Sequence, residues 1–512
     1  MNLLTASWLR AMNTGGGERC IAPTDIGDSL TIELLASRPD FHGALYQFLI
    51  GLLQTTFAPD TLDDWLALWD NPPDAAILRA AFQPYEHAFH LENDGPAFMQ
   101  DLQLPAEANQ LPVLDLLIDA GSDSNRYFNK PAAEYGLCAG CCAQALFTLQ
   151  INAPPGGRGI RTSLRGGGPL TTLLRPVEPA TLWQKLWLNV LPREALGLQP
   201  VTALGDVLPW LAPTRASDGT GLDTTVTDVH PLQAYWSMPR RIRLDTSTAS
   251  EGDCAVCGAR GVRLIRHYRT RHGGTNYTGP WPHPLTPFNH DPKLQKPPLS
   301  VKGRKGGIAY RDWLGLALGN DQNQPAAAQV VAHFNAQVRL TSTVQLWCFG
   351  YDMDNMRARC WYDAVLPRPA IAEGQQAAYA AAVKRVLDVA QAAADSLRAQ
   401  VKAAWFKRPG DKGDEPVVSL SFWQGSETAF YALLQQLSQV DACDEQALVS
   451  IYRNWLYQVR DTALALFDHW VLNGDIEEMD MERVARARAK LEKELAISKA
   501  AKVLWDIIKS YL

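Results

Sequence analysis

Apolar residues recur at helical spacing over residues 41–56 and 60–69, and Asn71-Pro-Pro-Asp74 breaks the pattern between elements. The first of these is the most apolar early stretch. His42, Gln47 and Gln54 interrupt it, so it reads as a buried helix, too short and too polar to span a bilayer. From about residue 105 to 365 the helical period fades. Glycine and proline become frequent, β-like runs such as 338–347 are short, and few helices are predicted. After Pro367-Arg-Pro369 the period returns in an alanine-rich stretch over 371–406, with Ala380, Val383, Val386, Leu387, Val389 and Ala390 at apolar positions. A charged Gly/Pro loop over 407–416 precedes helical stretches at 422–440, 445–471 and 476–512, with Asn473-Gly474 between the last two. Four antiparallel helices with short connections make a four-helix bundle the economical arrangement. The expected fold class is therefore α+β: a large mixed N-terminal domain over 1–366, then an all-α bundle over 367–512.

The chain has 512 residues, 46% of them hydrophobic, which suffices for one large core or several smaller ones. Its formal net charge of −6 conceals an asymmetry. Residues 1–100 carry 13 acidic and 4 basic side chains, whereas 254–311 carry 11 basic and 1 acidic. The basic block is a candidate polyanion surface; its plainer reading is a solvated loop face. The start, Met1-Asn-Leu-Leu-Thr-Ala-Ser-Trp-Leu-Arg10, lacks a basic region followed by an apolar stretch and small cleavage residues, and the expected location is cytoplasmic, with no membrane.

Nine cysteines without regular overall spacing argue against a secreted disulfide framework. Two Cys-x-x-Cys pairs stand out: Cys138-Ala-Gly-Cys141 and Cys254-Ala-Val-Cys257, with 112 residues between them. Each pair turns both sulfurs toward one point, and together they offer the four thiolates of a structural zinc ion. Cys142 competes with Cys141, but the two-residue spacer of the second pair selects Cys141. His267 and His272 follow the second pair and are not needed by a shell already closed by sulfur. Such a shell leaves no position for water, so the metal is expected to hold structure and not to catalyse.

Three segments have the chemistry to meet a ligand. Gly156-Gly-Arg-Gly159 and Gly166-Gly-Gly168 flank Ile160-Arg-Thr-Ser-Leu-Arg165, which places Arg158, Arg161 and Arg165 among glycines, as in a loop lying on phosphates or entering a groove. No Gly-Lys-Ser/Thr follows, so this is no Walker loop. Tyr127, Phe128 and Asn129 lie between Arg126 and Lys130, a composition suited to base stacking or equally to core burial. The densest basic run, Arg260 to His272, leaves the second cysteine pair, and 263–271 could form a strand or a ribbon edge. No Gly-x-Ser-x-Gly or His-Glu-x-x-His is present, and His290-Asp291 stands without further ligands.

These landmarks in this order resemble the large subunit (CasA family) of the type I-E CRISPR surveillance complex, Cascade. The resemblance rests on Met1-Asn-Leu-Leu, Gly95-Pro-Ala-Phe-Met-Gln100, Leu137-Cys-Ala-Gly-Cys141, Ser163-Leu-Arg-Gly-Gly-Gly-Pro169, Cys254-Ala-Val-Cys-Gly258 and Trp281-Pro-His-Pro284. It implies a non-catalytic reader of the protospacer-adjacent motif in duplex DNA. Such a subunit promotes strand separation and R-loop formation, works beside crRNA and other Cascade subunits, and offers a docking surface to a helicase-nuclease effector. It further implies that Gly156, Gly157, Arg158 and Gly159 form the loop approaching the minor groove, Arg158 being a departure that bears on which motifs are tolerated. The groove-inserting basic residue falls near Arg269 to His272, with Arg271 or His272 in its place. Asp354, Asn355 and Met356 fall at the tip of a hairpin that wedges between base pairs. Asn355 takes the family's glutamine position, and Asp354 is a carboxylate unfavourable beside DNA unless neutralised. Tyr127, Phe128 and Asn129 correspond to a loop docking near the 5′ handle of the guide RNA. Minor-groove readers sense groove width and a degenerate edge pattern, which suits small loops with inserted basic side chains. Two other classes compete on composition: a zinc-stapled nuclease or hydrolase with scattered ligands, and a zinc-ribbon scaffold that binds only protein.

Overall fold

The computed structural model describes residues 1–511 except 120–134, 158, 219–221, 292, 294, 304, 320–324, 338–342, 355, 412–415 and 474–479. It is mixed α and β, with a helical C-terminal region. The described chain divides into two compact units: Met1–Arg304 with Asn320–Gln337 and Trp347–Asp363, and Lys305–Gly319 with Val338–Leu346 and Ala364–Leu512.

The first unit is built around the helix Pro39–Thr56. Proline at its first turn fixes the entry dihedral, Asp40 favours the positive end of the helix dipole, and 15 of its 18 residues are buried. Burial all round leaves no polar stripe, so its glutamines must find partners inside. Gln54 accepts from the Leu191 amide (2.8 Å) and donates to the Leu191 carbonyl (2.9 Å). Gln47 Oε1 accepts from Arg165 (2.8 Å) and from the Thr171 hydroxyl (3.2 Å). Phe48 is met edge-on by Trp8, Phe89, Phe98, Phe147 and Trp236, at centroid distances of 5.7–6.2 Å. This geometry suits the ring quadrupoles and anchors the core.

Small antiparallel sheets surround that core. His267–Arg271 lies between Asn109–Pro112 and Arg241–Asp245, with Arg271 opposite Arg241 and Tyr268 opposite Leu111 and Leu244. Val262–Ile265 lies between Leu137–Cys138 and Ser250–Gly252. The run 263–271 is thus divided between two sheets at Arg266. Val344–Asp354 is flanked by Arg357–Arg368 and Thr171–Pro176. It takes in the end of the predicted 338–347 run, of which 338–342 lie outside the described residues. The helix Ala139–Asn152 stands in the region where few helices were expected, and 10 of its 14 residues are buried.

In the second unit the helices Gln376–Trp405, Pro416–Leu437 and Glu445–Leu472 follow the predicted stretches with shifted ends. The last stretch is two helices, Met481–Ile497 and Lys499–Ser510. Ser498 separates them: it has extended backbone (ψ 150°), and its hydroxyl accepts from the Ala501 amide at 3.2 Å, capping the second. Trp455 Nε1 donates to the Val386 carbonyl (3.0 Å), Tyr379 to Leu434 (3.0 Å) and Arg483 to Ala404 (2.9 Å), so neighbouring helices are tied as well as packed. Residues 305–319, which precede the expected junction at 366/367, belong to this unit. Tyr310 stacks on Phe430 at 4.3 Å and bonds the Ser426 hydroxyl at 2.8 Å. Among the described residues no helix is long and apolar enough to cross a membrane.

Candidate metal centre and nucleic-acid interface

Cys138, Cys141, Cys254 and Cys257 come together with all four sulfurs within 4.8 Å of one another. Cys138 is the N-cap of Ala139–Asn152, and Cys141 lies in its first turn, so the positive end of that helix faces the sulfurs. The second pair sits in a tight turn. The Gly258 amide returns to the Cys254 carbonyl at 3.0 Å, and Gly258 takes φ +71°, a conformation glycine adopts without strain. The Ala255 amide donates to the Gly136 carbonyl (3.0 Å) and the Cys138 amide to Cys254 Sγ (3.3 Å), which locks the two knuckles together. Cys142 is excluded: it is buried and its thiol donates to the Leu137 carbonyl at 3.6 Å.

The donor set fits a tetrahedral metal. Metal–sulfur bonds of about 2.3 Å imply sulfur–sulfur separations of about 3.8 Å, and Cys138 and Cys257 lie 3.7 Å apart. The electrostatics agree. Hydrogen bonds from Cys138 and Cys141 hold the Cys254 thiol far below the usual range. Bonds to Cys138 and Cys254, together with burial, push Cys141 far above it. Four sulfurs this close cannot all ionise alone, whereas a divalent cation would let them.

The strand that follows the second knuckle ends against the glycine loop. The Gly273 amide donates to the Gly159 carbonyl (2.8 Å), and a Cβ built on Gly159 would lie 3.1 Å from His272 Cβ. Gly157 and Gly159 take φ +86° and +80°, which an L side chain rarely adopts. Arg240 secures the root of the loop by donating to the Pro154 carbonyl at 2.5 Å. Arg161 donates to Ser217 Oγ (2.7 Å) and to its carbonyl (3.2 Å). Together these segments wall a cleft of about 550 Å³ into which Gly159, Arg161, Arg240, Arg241, Arg271 and His272 contribute. Arg269 lies elsewhere. It reaches Asp245 (3.5 Å) and the Ala106 carbonyl (3.0 Å).

Close backbone approaches link this loop to the hairpin of Val344–Asp354 and Arg357–Arg368. A Cβ on Gly167 would lie 2.7 Å from Pro155 Cδ, and one on Gly168 (φ +64°) 2.6 Å from the Tyr351 carbonyl oxygen. Gly350 meets the Pro169 carbonyl as tightly, at 2.6 Å from its would-be Cβ. The Gly-Gly-Gly-Pro motif is therefore a seat for the hairpin. At the tip, Met356 is 55% exposed. Asp354 pairs with Arg359 at 3.1 Å, and Arg359 also grips the buried Asp352 with two bonds of 3.0 and 2.6 Å.

The family model described as CRISPR-associated protein Cse1 matches residues 2–466. The chain belongs to the Cse1 family. Among solved structures, Thermus thermophilus CasA (Cse1) is 17% identical with a TM-score of 0.71, covering 98% of this chain and 99% of that one. Thermobifida fusca Cse1 is 17% identical with a TM-score of 0.70, covering 98% of each chain. A chain of a structure titled "CRISPR RNA-guided surveillance complex" is also 17% identical, with a TM-score of 0.70 over 97% of this chain and 99% of that one. At such identity the likeness speaks for the fold.

Seen as a Cse1 chain, the molecule brings some predicted residues together and not others. The four cysteines form one cluster, and Gly159 meets His272, with Arg271 lining the same cleft. Arg158, Asn355 and the segment with Tyr127, Phe128 and Asn129 lie outside the described residues. Arg165 is corrected: it is 4% exposed, its guanidinium divided among Thr171 (3.1 Å), Thr286 (3.0 Å) and Gln47 (2.8 Å), and it faces no ligand. The basic block is also partly spent internally, with Arg263 on Glu92 at 2.7 Å and Arg266 on Ser250 at 2.7 Å. Arg359 and Arg240 were missed. The one available signal was the acidic pair Asp352 and Asp354 facing Arg359 across a hairpin turn.

Proposed function

We propose that this Cse1 chain is the non-catalytic DNA-reading subunit of a crRNA-guided type I-E Cascade complex. It reads a protospacer-adjacent motif in duplex DNA, starts strand separation and R-loop formation, and gives a helicase-nuclease effector its docking surface. The observation that carries this reading is the junction of the glycine loop with the basic strand end, held by the Gly273–Gly159 bond of 2.8 Å beside an arginine-lined cleft. Small backbone presents itself where a groove floor would lie, while Arg271 and His272 stand beside it for insertion, and Gly156, Gly157 and Arg158 complete the loop. This is the combination that degenerate minor-groove readout requires. Sequence beyond the motif falls to guide-RNA pairing, so a small protein interface suffices.

In this reading, the domain expected over 1–366, apart from 305–319, recognises the motif, and the region expected over 367–512 is a four-helix bundle whose last helix is broken at Ser498. Tyr127, Phe128 and Asn129 dock near the guide-RNA handle and neighbouring subunits. The hairpin with Asp354, Asn355 and Met356 is the wedge, and the carboxylate of Asp354 is neutralised by Arg359 before DNA arrives. The metal is a structural Zn²⁺ held by Cys138, Cys141, Cys254 and Cys257. Its all-sulfur shell supplies no open coordination position, and its chemistry is confined to fixing the knuckles from which the groove strand departs.

The test is duplex binding by the full chain as a function of salt. Replacing Arg271 with alanine is expected to weaken binding across sequences and to lower the salt slope by about 1. An unchanged slope would remove Arg271 from the interface.

A further inference from the structure

The cleft beside the glycine loop is lined by Arg161, Arg240, Arg241 and Arg271 and, among the described residues, by no carboxylate. One acid nevertheless reaches its cations from the rim. Asp218 Oδ2 lies 3.8 Å from Arg271 Nη2 and 3.7 Å from Arg241 Nη1. Arg241 has a stronger counter-ion already, because Asp101, fully buried, accepts from its Nε at 2.6 Å. The charge of Asp218 is therefore left chiefly for Arg271. Both groups are nearly half exposed (42% and 48%), and their separation is that of an ion pair without a tight hydrogen bond. Such a pair can exchange partners.

Its position is built in. The Ser217 amide donates to the Gly273 carbonyl (3.0 Å), and the Ser217 hydroxyl to the Gly274 carbonyl (2.6 Å). Arg161 clamps Ser217 from the cleft side at 2.7 Å. Gly273 has φ +77°, and a Cβ there would lie 2.6 Å from Asp218 Cβ, so the absent side chain is what lets the acid sit against the strand end. The same Gly273 holds Gly159 through its amide. Acid, basic strand end and glycine loop thus meet at one residue.

We propose that Asp218 is a specificity-determining residue that stands in for a DNA phosphate on Arg271. This rests on the duplex-reading role proposed above. A carboxylate and a phosphate oxygen compete for a guanidinium through the same charge-assisted bonds. Any duplex must displace Asp218 to gain Arg271, whatever its sequence. Only a duplex that also seats the glycine loop in its groove offsets that loss. Weakening the sequence-independent contact raises the share of affinity that depends on the motif.

The experiment compares wild type, Asp218→Asn, Arg271→Ala and the double variant as full chains. Each is titrated onto a fluorescent duplex of mixed sequence between about 50 and 200 mM salt, with thermal stability measured in parallel. Asp218→Asn should bind about five- to tenfold tighter near 0.1 M salt at an unchanged slope, because Arg271 makes the same phosphate contact without first leaving a carboxylate. Arg271→Ala should bind more weakly, and in its background the Asp218 substitution should have no effect. If Arg271→Ala weakens binding but Asp218→Asn does not tighten it, the competitor role is wrong and the DNA-reading role stands. If neither substitution changes binding, both fail. Should Asp218→Asn fold poorly, Asp218→Ser carries the same expectation, and loss of tightening there overturns the proposal equally.

Discussion

Arg165 and Arg271 both stand near glycines in basic sequence, yet their surroundings give them opposite work. Arg165 is buried against Gln47, Thr171 and Thr286 without an acidic partner among the bonds that hold it. Arg165→Met keeps the volume and strips donors from those groups, at a cost of about 2 kcal/mol. Calorimetry should show the lowered melting temperature while the salt slope of duplex binding stays at the wild-type value. Glu33 is a second case. Burial favours its neutral form, but the His42 imidazole at 3.4 Å and the charges of Arg175 and Lys185 hold its carboxyl well below the ordinary range. Lys185 lies at 2.8 Å and Arg175 at 2.5 Å. A depressed native value adds stability above the unfolded value of about 4.3, and that stability is lost as pH falls through and below it. Glu33→Gln should therefore be less stable at neutral pH and lose less between about pH 5 and pH 3; equal losses in both proteins would contradict the role given to Glu33. The cysteine ligands were legible because two-residue spacing encodes a local turn. The burial of Arg165 was not, because local composition carries no record of what packs over a loop.

At the scale of elements, the hairpin depends on Arg359. It links the buried Asp352, 1% exposed, to Asp354 at the tip. In the proposed wedge role, Arg359→Ala would release the Asp354 carboxylate toward incoming phosphates. Strand opening, read by a fluorescent base analogue beside the motif, should fall by about tenfold, while duplex binding changes less and Arg359→Lys recovers part of the loss. Equal loss of binding and opening would make Arg359 a general structural residue. The long C-terminal helices were readable from their one-sided apolar spacing. Ala139–Asn152 was not, since residues buried on nearly every side show no period, and the cysteine pair at its start looks like a loop. The break at Ser498 was hidden for another reason: serine within a charged, alanine-rich run gives no strong stop until its hydroxyl is seen capping Ala501.

For the whole molecule, a metal held by the four cysteines would tie residues near 138 to residues near 254, and the chain runs from Cys257 through Val262–Ile265 directly into His267–Arg271. Removing the ion with a strong chelator under reducing conditions should lower thermal stability and duplex affinity together, and elemental analysis before treatment should give about one zinc per chain. Cys254→Ser should reproduce the stability loss; a variant that melts as wild type would show that the knuckles hold without metal. The α+β class and the helical C-terminal region followed from periodicity. The membership of Lys305–Gly319 in the helical unit did not, because Tyr310 meets Phe430 and Ser426 far along the chain and no local pattern announces it.

The glycine stack of Pro155 on Gly167 and Gly168 on Tyr351 leaves no slack between the segment that would feel a groove and the finger that would part its strands. In the proposed role the two act as jaws of one tool. A duplex of the wrong shape that pushed the first jaw back would drag the second off its line, and rejection would need no separate proofreading step.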